Sequence, residues 1–297
     1  MAGFREKEGP NTGKEGIHER NEPQPTLPLD YFKPETPVLS EWDVVLLNSS
    51  GGKDSQTMMR QVIQAADAEG YSRSHVVVVH ADLGRVEWQG TKELAREQAK
   101  AYGLEFRGMA RPQGDLLTHI EAHGKFPGPT TRYCTSDHKR GQIRKIITAL
   151  DRERRKGNGF KVLNCLGLRA QESPARRKKR PFAPNGYYST NTREVWDWLP
   201  IHNWTEEEVW ADIAESGVRY HEAYDIGMPR LSCVFCIYAP TPALVLAARH
   251  NPELLDDSVA VEERIGHRFK EDLSMAKVKE LAKSGEPVGT LSGEWNM

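Results

Sequence analysis

The chain has 297 residues, enough to bury a full core in one large domain or two small ones. With 38% hydrophobic and 28% charged residues it has the composition of a soluble globular protein, and a membrane protein is not expected. No apolar run nears the roughly 18 residues that a membrane span needs. The formal net charge of −1 means that any attraction to nucleic acid must come from local patches rather than the whole molecule. Four cysteines in this length argue against a disulfide framework and for a reducing compartment. A charged N-terminus without an apolar signal segment adds to the expectation of a cytoplasmic protein.

In chain order, residues 1–40 are rich in proline, glycine and charge, with almost no apolar periodicity, and read as a disordered tail. The folded part is expected over 41–240, with a helical C-terminal extension over 241–297. The apolar run 44–47 has the length and β-branching of a buried strand. Apolar residues at helical spacing follow from Gln56, and the helix is expected to reach about Glu69. Between strand and helix lies Ser49-Ser50-Gly51-Gly52-Lys53-Asp54-Ser55. A loop that enters a helix N-terminus offers free N–H groups and a favourable macrodipole, and glycines admit a phosphate to the backbone. Lys53 adds a point charge, and Ser50 and Ser55 add hydroxyl donors. The spacing fits neither the Walker loop nor the dinucleotide fingerprint.

A second buried strand is expected over 75–80, ending before Asp82, and a helix over 87–102. A third strand covers 104–109, and helices are expected over 115–123 and 137–150. Another strand covers 161–166 and runs into Gly167-Leu168-Arg169. Strands alternating with helices predict a doubly wound, mostly parallel α/β sheet with sites at the strands' carboxyl ends, where Asp54, Asp82 and Arg169 fall. After a loop of about 25 residues, 195–199 reads as an edge strand. Thr205-Glu206-Glu207-Glu208 opens a helix with a capping box, and helices are expected to fill the rest to about Lys283.

Cys233-Val234-Phe235-Cys236 is the second chemical signal. Two thiolates at this spacing hold a metal or cluster iron, or act as a redox dithiol. Cys134 precedes an expected helix start, where a thiol's pKa falls. Cys165 lies within a strand pattern and is either a buried small hydrophobe or a further ligand. If the segment is helical, His138 shares a face with Cys134, and with Cys233 and Cys236 the two would make a Cys₃His zinc set. Arg176-Arg177-Lys178-Lys179-Arg180 is either a solvated face or a binding surface for a phosphate-rich substrate. Tyr187 and Tyr188 nearby are candidates for base stacking.

Ser-Gly-Gly-Lys-Asp-Ser after a strand resembles the PP-loop of the N-type ATP pyrophosphatases (adenine nucleotide alpha-hydrolase-like fold). Thr131-Arg132-Tyr133-Cys134-Thr135, Lys139-Arg140-Gly141-Gln142-Ile143 and Gly167-Leu168-Arg169-Ala170-Gln171-Glu172-Ser173 are similar to blocks of the phosphoadenosine phosphosulfate (PAPS) reductase family in that superfamily. Trp198-Leu199-Pro200-Ile201 and the Trp204–Trp210 segment resemble its next block. The resemblance covers roughly residues 42 to 240. It implies that Ser49 to Ser55 bind nucleotide phosphates, that Asp82 lies at the nucleotide pocket and that Arg169 holds the anionic end. ATP with Mg²⁺ is the implied cofactor, with Lys53 and Asp54 as catalytic residues. Cys134, Cys233 and Cys236 match ligands of a [4Fe-4S] cluster in cluster-bearing members, with Cys165 as a candidate fourth and zinc as the alternative metal.

Two departures bear on activity. The chain has no cysteine after Cys236, where the assimilatory reductases carry a nucleophilic one, and Tyr133 replaces the first of an adjacent cysteine pair. The three cysteines instead resemble those of PP-loop sulfur-inserting enzymes, and the resemblance implies ATP cleavage to AMP and pyrophosphate, with adenylylation coupled to cluster-dependent sulfur transfer. PAPS or adenosine phosphosulfate reduction is the alternative, and a non-catalytic nucleotide-sensing subunit of a larger assembly a second one. Expected partners are a sulfur donor such as a cysteine desulfurase and a nucleic-acid or other acceptor whose phosphates meet Arg176 to Arg180. A homodimer or larger complex is the expected assembly.

Overall fold

Strands covered on both faces need apolar side chains in both directions, and Val44–Asn48 (β1) and Val76–Asp82 (β2) supply them. A computed structural model describes residues 36–285, 289 and 291. Most of the tail reading, 1–35, and the last stretch of the helical extension lie outside the described residues. Within them Leu39 is already fully buried, and its N–H donates to Glu69.

The remaining strands are β3 (Glu105–Ala110), β4 (Phe160–Leu166), β5 (Phe182–Pro184) and β6 (Arg193–Trp198). They form one six-stranded sheet in the order β3-β2-β1-β4-β6-β5. All neighbours pair in parallel except β5 with β6, which is antiparallel. The sheet is thus the expected doubly wound one. The segment read as an edge strand is not at the edge, because the three residues of β5 cover its outer side through Phe182, Ala183 and Pro184. A strand that short, ending in proline, gives almost no period-two signal.

Helix α1 (Lys53–Glu69) begins at the glycine-rich loop and ends on Gly70 in the left-handed conformation. With α2 (Thr91–Ala101) and α7 (Glu206–Ser216) it buries an apolar layer on one face of the sheet, including Met58, Val62, Leu163, Cys165 and Val209. α7 has the expected capping box between Thr205 and Glu208. Helix α2 starts four residues later than its periodicity predicts. A 3₁₀ turn, Gly84–Val86, and a left-handed Gly90 intervene.

The opposite face is covered by α5 (Gly141–Arg154) through Ile143, Ile146, Ile147 and Leu150. Before it come α3 (Leu116–His123), a single turn α4 (Tyr133–Thr135) and a π-helical stretch, Ser136–Arg140. The short helix α6 (Pro174–Arg177) follows β4, and α8 (Thr241–His250), α9 (Pro252–Ile265) and α10 (Met275–Ser284) close the described chain. These last helices share an apolar cluster with Leu83, Leu117, Phe126 and Tyr133, so they pack beside the carboxyl ends of the strands. No helix among the described residues is long and apolar enough to cross a membrane.

Strand order reverses between β1 and β4, which opens a crevice at their carboxyl ends. Here the chain crowds. A Cβ on Gly167, just past β4, would lie 2.5 Å from the carbonyl oxygen of Asp54 at the start of α1. Gly167→Ala must therefore push β4's exit away from the loop. It is expected to destabilise the protein by about 1–3 kcal/mol in urea unfolding.

Candidate functional site

The loop between β1 and α1 is pre-shaped by its own hydrogen bonds. Gly51 takes φ +71°, a conformation side chains disfavour, and its N–H donates to the Ser49 hydroxyl. The Ser50 N–H donates to Ser55 Oγ at 3.2 Å, and that hydroxyl donates to the Gly52 carbonyl at 2.8 Å. Ser49, Ser50, Gly52, Asp54 and Ser55 all line one cavity of about 800 Å³. The loop is therefore a formed cradle with serine oxygens and helix-start N–H groups around an open space.

Lys53 is placed differently from its neighbours. It is 1% exposed and does not line the cavity. Its Nζ donates to the Pro229 carbonyl at 2.8 Å and stands 3.4 Å from Glu206. Its backbone N–H donates to the Tyr224 hydroxyl at 2.9 Å. The ammonium thus clamps the segment around Tyr224 and Pro229 onto the loop, with its charge offset by Glu206 and, at 4.0 Å, by Asp54.

Asp54 faces the cavity, and one of its oxygens accepts from Arg169 Nε at 2.6 Å. Arg169, 3% exposed, also donates to Gln171 and stands near Glu206. Sequence thus brings Asp54 and Arg169 together across the crevice. Asp82 is not among the lining residues. Its carboxylate takes Lys92 at 2.7 Å and the Gly84 N–H at 2.9 Å. Burial opposes its charge, but Lys92 and that N–H hold the carboxyl below its ordinary range.

His80 and Glu87 line the cavity on this side instead. His80 bridges the Ser49 carbonyl, at 3.0 Å, and Glu87, at 3.1 Å. Burial works against its charge, yet Glu87 and Ser49 raise its pKa above the ordinary value. No motif singled these two out; the final His of the apolar β2 run was the available signal.

Cys134, Cys233 and Cys236 line the same cavity. A backbone bridge between Glu87 and Cys233, with Val234 N–H donating to Val86, ties the C-x-x-C loop to the turn after β2. Burial pushes the Cys233 thiol up to about 12, opposed by Lys139, and the Cys236 thiol up as well. Lys139 is raised in turn. Burial opposes its charge, but Cys233, Cys236 and Cys134 favour it. Three thiols and a cation therefore face one space.

Cys165 does not join them. It is fully buried in the layer beneath α1 and α7, because strand alternation turns it to that face while Asn164 faces the cavity. The zinc set does not assemble either. The stretch after Cys134 is π-helical, so positions four apart do not stack as in an α-helix. His138 Nε2 instead meets His119 Nδ1 at 3.0 Å. Burial and His119 push His138 down to about 4. Among the described residues no group of three or more His, Cys, Asp or Glu is arranged to hold a single metal ion. What remains is three thiols lining the cavity, a soft donor type that suits iron–sulfur chemistry better than a hard cation.

Of the basic run, Arg176 and Lys179 line the cavity. Arg176 and Arg230 both pair with Glu172. Arg177, Lys178 and Arg180 lie outside it and are exposed.

Residues 44–239 match the family model described as the phosphoadenosine phosphosulfate reductase domain. An uncharacterized 37.8 kDa protein in the gpa 5′ region of Escherichia phage 186 is 32% identical over 163 residues, covering 54% of this chain. The chain spans about half (46%) of the length of that curated relative. Among solved structures, PAPS reductase from Candida auris in a phosphate complex aligns at 15% identity and a TM-score of 0.44. That alignment covers 66% of this chain and 84% of that one. The FMN adenylyltransferase of Candida glabrata aligns at 12% identity over 66% of this chain and 56% of that one, with a TM-score of 0.46. The U34-tRNA thiolase NcsA of Methanococcus maripaludis, solved with its [4Fe-4S] cluster, aligns at 15% identity. It covers 82% of this chain and 74% of that one, with a TM-score of 0.40.

The His80–Glu87 pair yields a pH-dependent prediction. A histidine whose folded pKa is raised stabilises fully below its ordinary value near 6.5, and loses that contribution as pH rises through the folded value. Glu87→Gln is expected to lower unfolding free energy at about pH 6 and much less at about pH 9. Urea melts of both proteins at the two pH values measure the difference.

Proposed function

The chain belongs to the phosphoadenosine phosphosulfate reductase family, and from that premise we propose that it cleaves ATP between the α- and β-phosphates to activate an acceptor for sulfur transfer. The observation that carries this reading is the shared cavity, lined by Ser49, Ser50, Gly52, Asp54 and Ser55 of the glycine-rich loop together with Cys134, Cys233 and Cys236. Activation and sulfur delivery can then occur without the intermediate leaving the site.

In this reading the N–H groups of Gly52, Asp54 and Ser55 and the serine hydroxyls of the loop hold the pyrophosphate leaving group and steady the charge it gains, while the Ser50, Gly51 and Lys53 N–H groups keep the loop in shape. Asp54, which lines the cavity and whose carboxylate Arg169 fixes, would hold Mg²⁺. The acceptor's oxygen attacks the α-phosphorus, the bond to the bridging oxygen breaks, and pyrophosphate carries the electron pair away. Lys53 acts from behind, by holding the loop and its Tyr224–Pro229 cover in register. Cys134, Cys233 and Cys236 would hold an iron–sulfur cluster, which supplies the sulfur-transfer chemistry when bound. Lys139 stands beside Cys233 and Cys236 and favours their ionised form against the burial that opposes it. A sulfur donor such as a cysteine desulfurase is the partner this scheme requires.

Family membership itself favours a second reading, reduction of PAPS or adenosine phosphosulfate in the same cavity. Product analysis separates the two. Anaerobically prepared protein given ATP, Mg²⁺ and acceptor is expected to release AMP and pyrophosphate. Lys53→Ala should reduce that by up to ~100-fold through a displaced loop. Release of ADP and phosphate contradicts the proposal, and sulfite from PAPS with a thiol reductant establishes the second reading in its place.

A further inference from the structure

Carboxylates and cations are treated unequally around the cavity. Its lining acids are all engaged: Asp54 by Arg169, Glu87 by His80, Glu172 by Arg176 and Arg230, and Asp197 by Asn164 and Asn185. Among the described residues Arg132, Lys139, Arg140 and Lys179, which also line it, make no ion pair; nor do the exposed Arg144, Arg177, Lys178 and Arg180. In a chain of net charge −1 this is a local, unneutralised cationic rim.

The rim also carries aromatic rings. Tyr187 is one of two large hydrophobic side chains exposed among the described residues, at 38%. The Arg140 guanidinium sits 3.9 Å from its ring centroid, and Arg144, one turn along α5, sits 5.5 Å away. Tyr188 beside it is buried and lines the cavity, which anchors Tyr187 at the edge. On the cysteine side, Arg132 stands 5.2 Å over the ring of Tyr238, and both line the cavity.

We propose that this rim, Arg140, Arg144 and Tyr187 with Arg177 to Arg180, binds single-stranded nucleic acid as the acceptor. Arginines ordered on an exposed tyrosine present a flat face for a base beside donors for its phosphates. A duplex keeps its bases stacked and offers no face to Tyr187, so single strands are favoured. A lone sulfonucleotide would need only the cations that line the cavity. Arg144, Arg177, Lys178 and Arg180 lie beyond those and call for a ligand with successive phosphates. The strand's role as sulfur acceptor rests on the function proposed above, but its binding does not.

Fluorescence anisotropy with a labelled single strand of roughly a dozen nucleotides, as DNA and as RNA, and with the matching duplex, tests this. Single strands of one or both sugars should bind more tightly than the duplex, and the affinity should fall steeply with salt. Tyr187→Ala should weaken binding roughly tenfold, while Tyr187→Phe keeps it, because the ring and not the hydroxyl stacks. Arg144→Gln should lower the log–log salt slope by ~0.7. Equal affinity for duplex and single strand, or affinity unmoved by both Tyr187→Ala and Arg144→Gln, overturns the proposal. ATP cleavage assayed on the same preparations reports separately on the function itself. Cleavage to AMP and pyrophosphate without strand binding would sink this inference alone.

Discussion

The buried ammonium of Lys53 is the constraint on which the two ends of the site depend. A charge this enclosed is tolerable only with partners, and it has the Pro229 carbonyl, Glu206 and the face of Tyr224. Because the same residue starts α1, those contacts fix the Tyr224–Pro229 segment directly on the glycine-rich loop. That segment leads within a few residues into Cys233 and Cys236. The Glu87–Cys233 bridge then pins the cysteine loop from the other side, to the turn after β2. The glycine-rich loop and the cysteine loop are therefore held in one frame, by the Lys53 and Tyr224 side chains on one side and a backbone bridge on the other.

Electrostatics completes that frame. The cavity pairs its acids internally and leaves cations available, so its field favours anions, while burial raises the Cys233 and Cys236 thiols above their ordinary range. Asp54 held by Arg169 presents one carboxylate in a fixed direction. Lys139 lines the same cavity, and Cys233, Cys236 and Cys134 favour its charge against the cost of burial.

Much of the fold was legible because its signals are local. Buried β-branched runs, a glycine loop entering a helix and the Thr205 capping box each act within a few residues. Asp54 and Arg169 were legible as residues at strand carboxyl ends, but their ion pair was not, because it depends on side chains 115 positions apart. The rest depended on direction or on distant partners. Alternation along β4 sets Cys165 opposite Asn164, a period-two fact that spacing between cysteines does not contain. An extra residue per turn after Cys134 sends His138 to His119. Lys92, ten residues on, takes Asp82 away from the lining. Tyr224 carries no motif, and its position over the loop follows only from the long return of the chain.

The central claim is that nucleotide activation and thiol chemistry occupy one cavity. A crystal structure of anaerobically prepared protein soaked with AMP, pyrophosphate and Mg²⁺ tests it most directly. The account predicts pyrophosphate on the backbone of Ser49 to Ser55, and iron anomalous signal beside Cys134, Cys233 and Cys236 across the same space, with Cys165 unligated. Pyrophosphate bound away from that loop, or iron bound at Cys165 with the other three cysteines free, would contradict it.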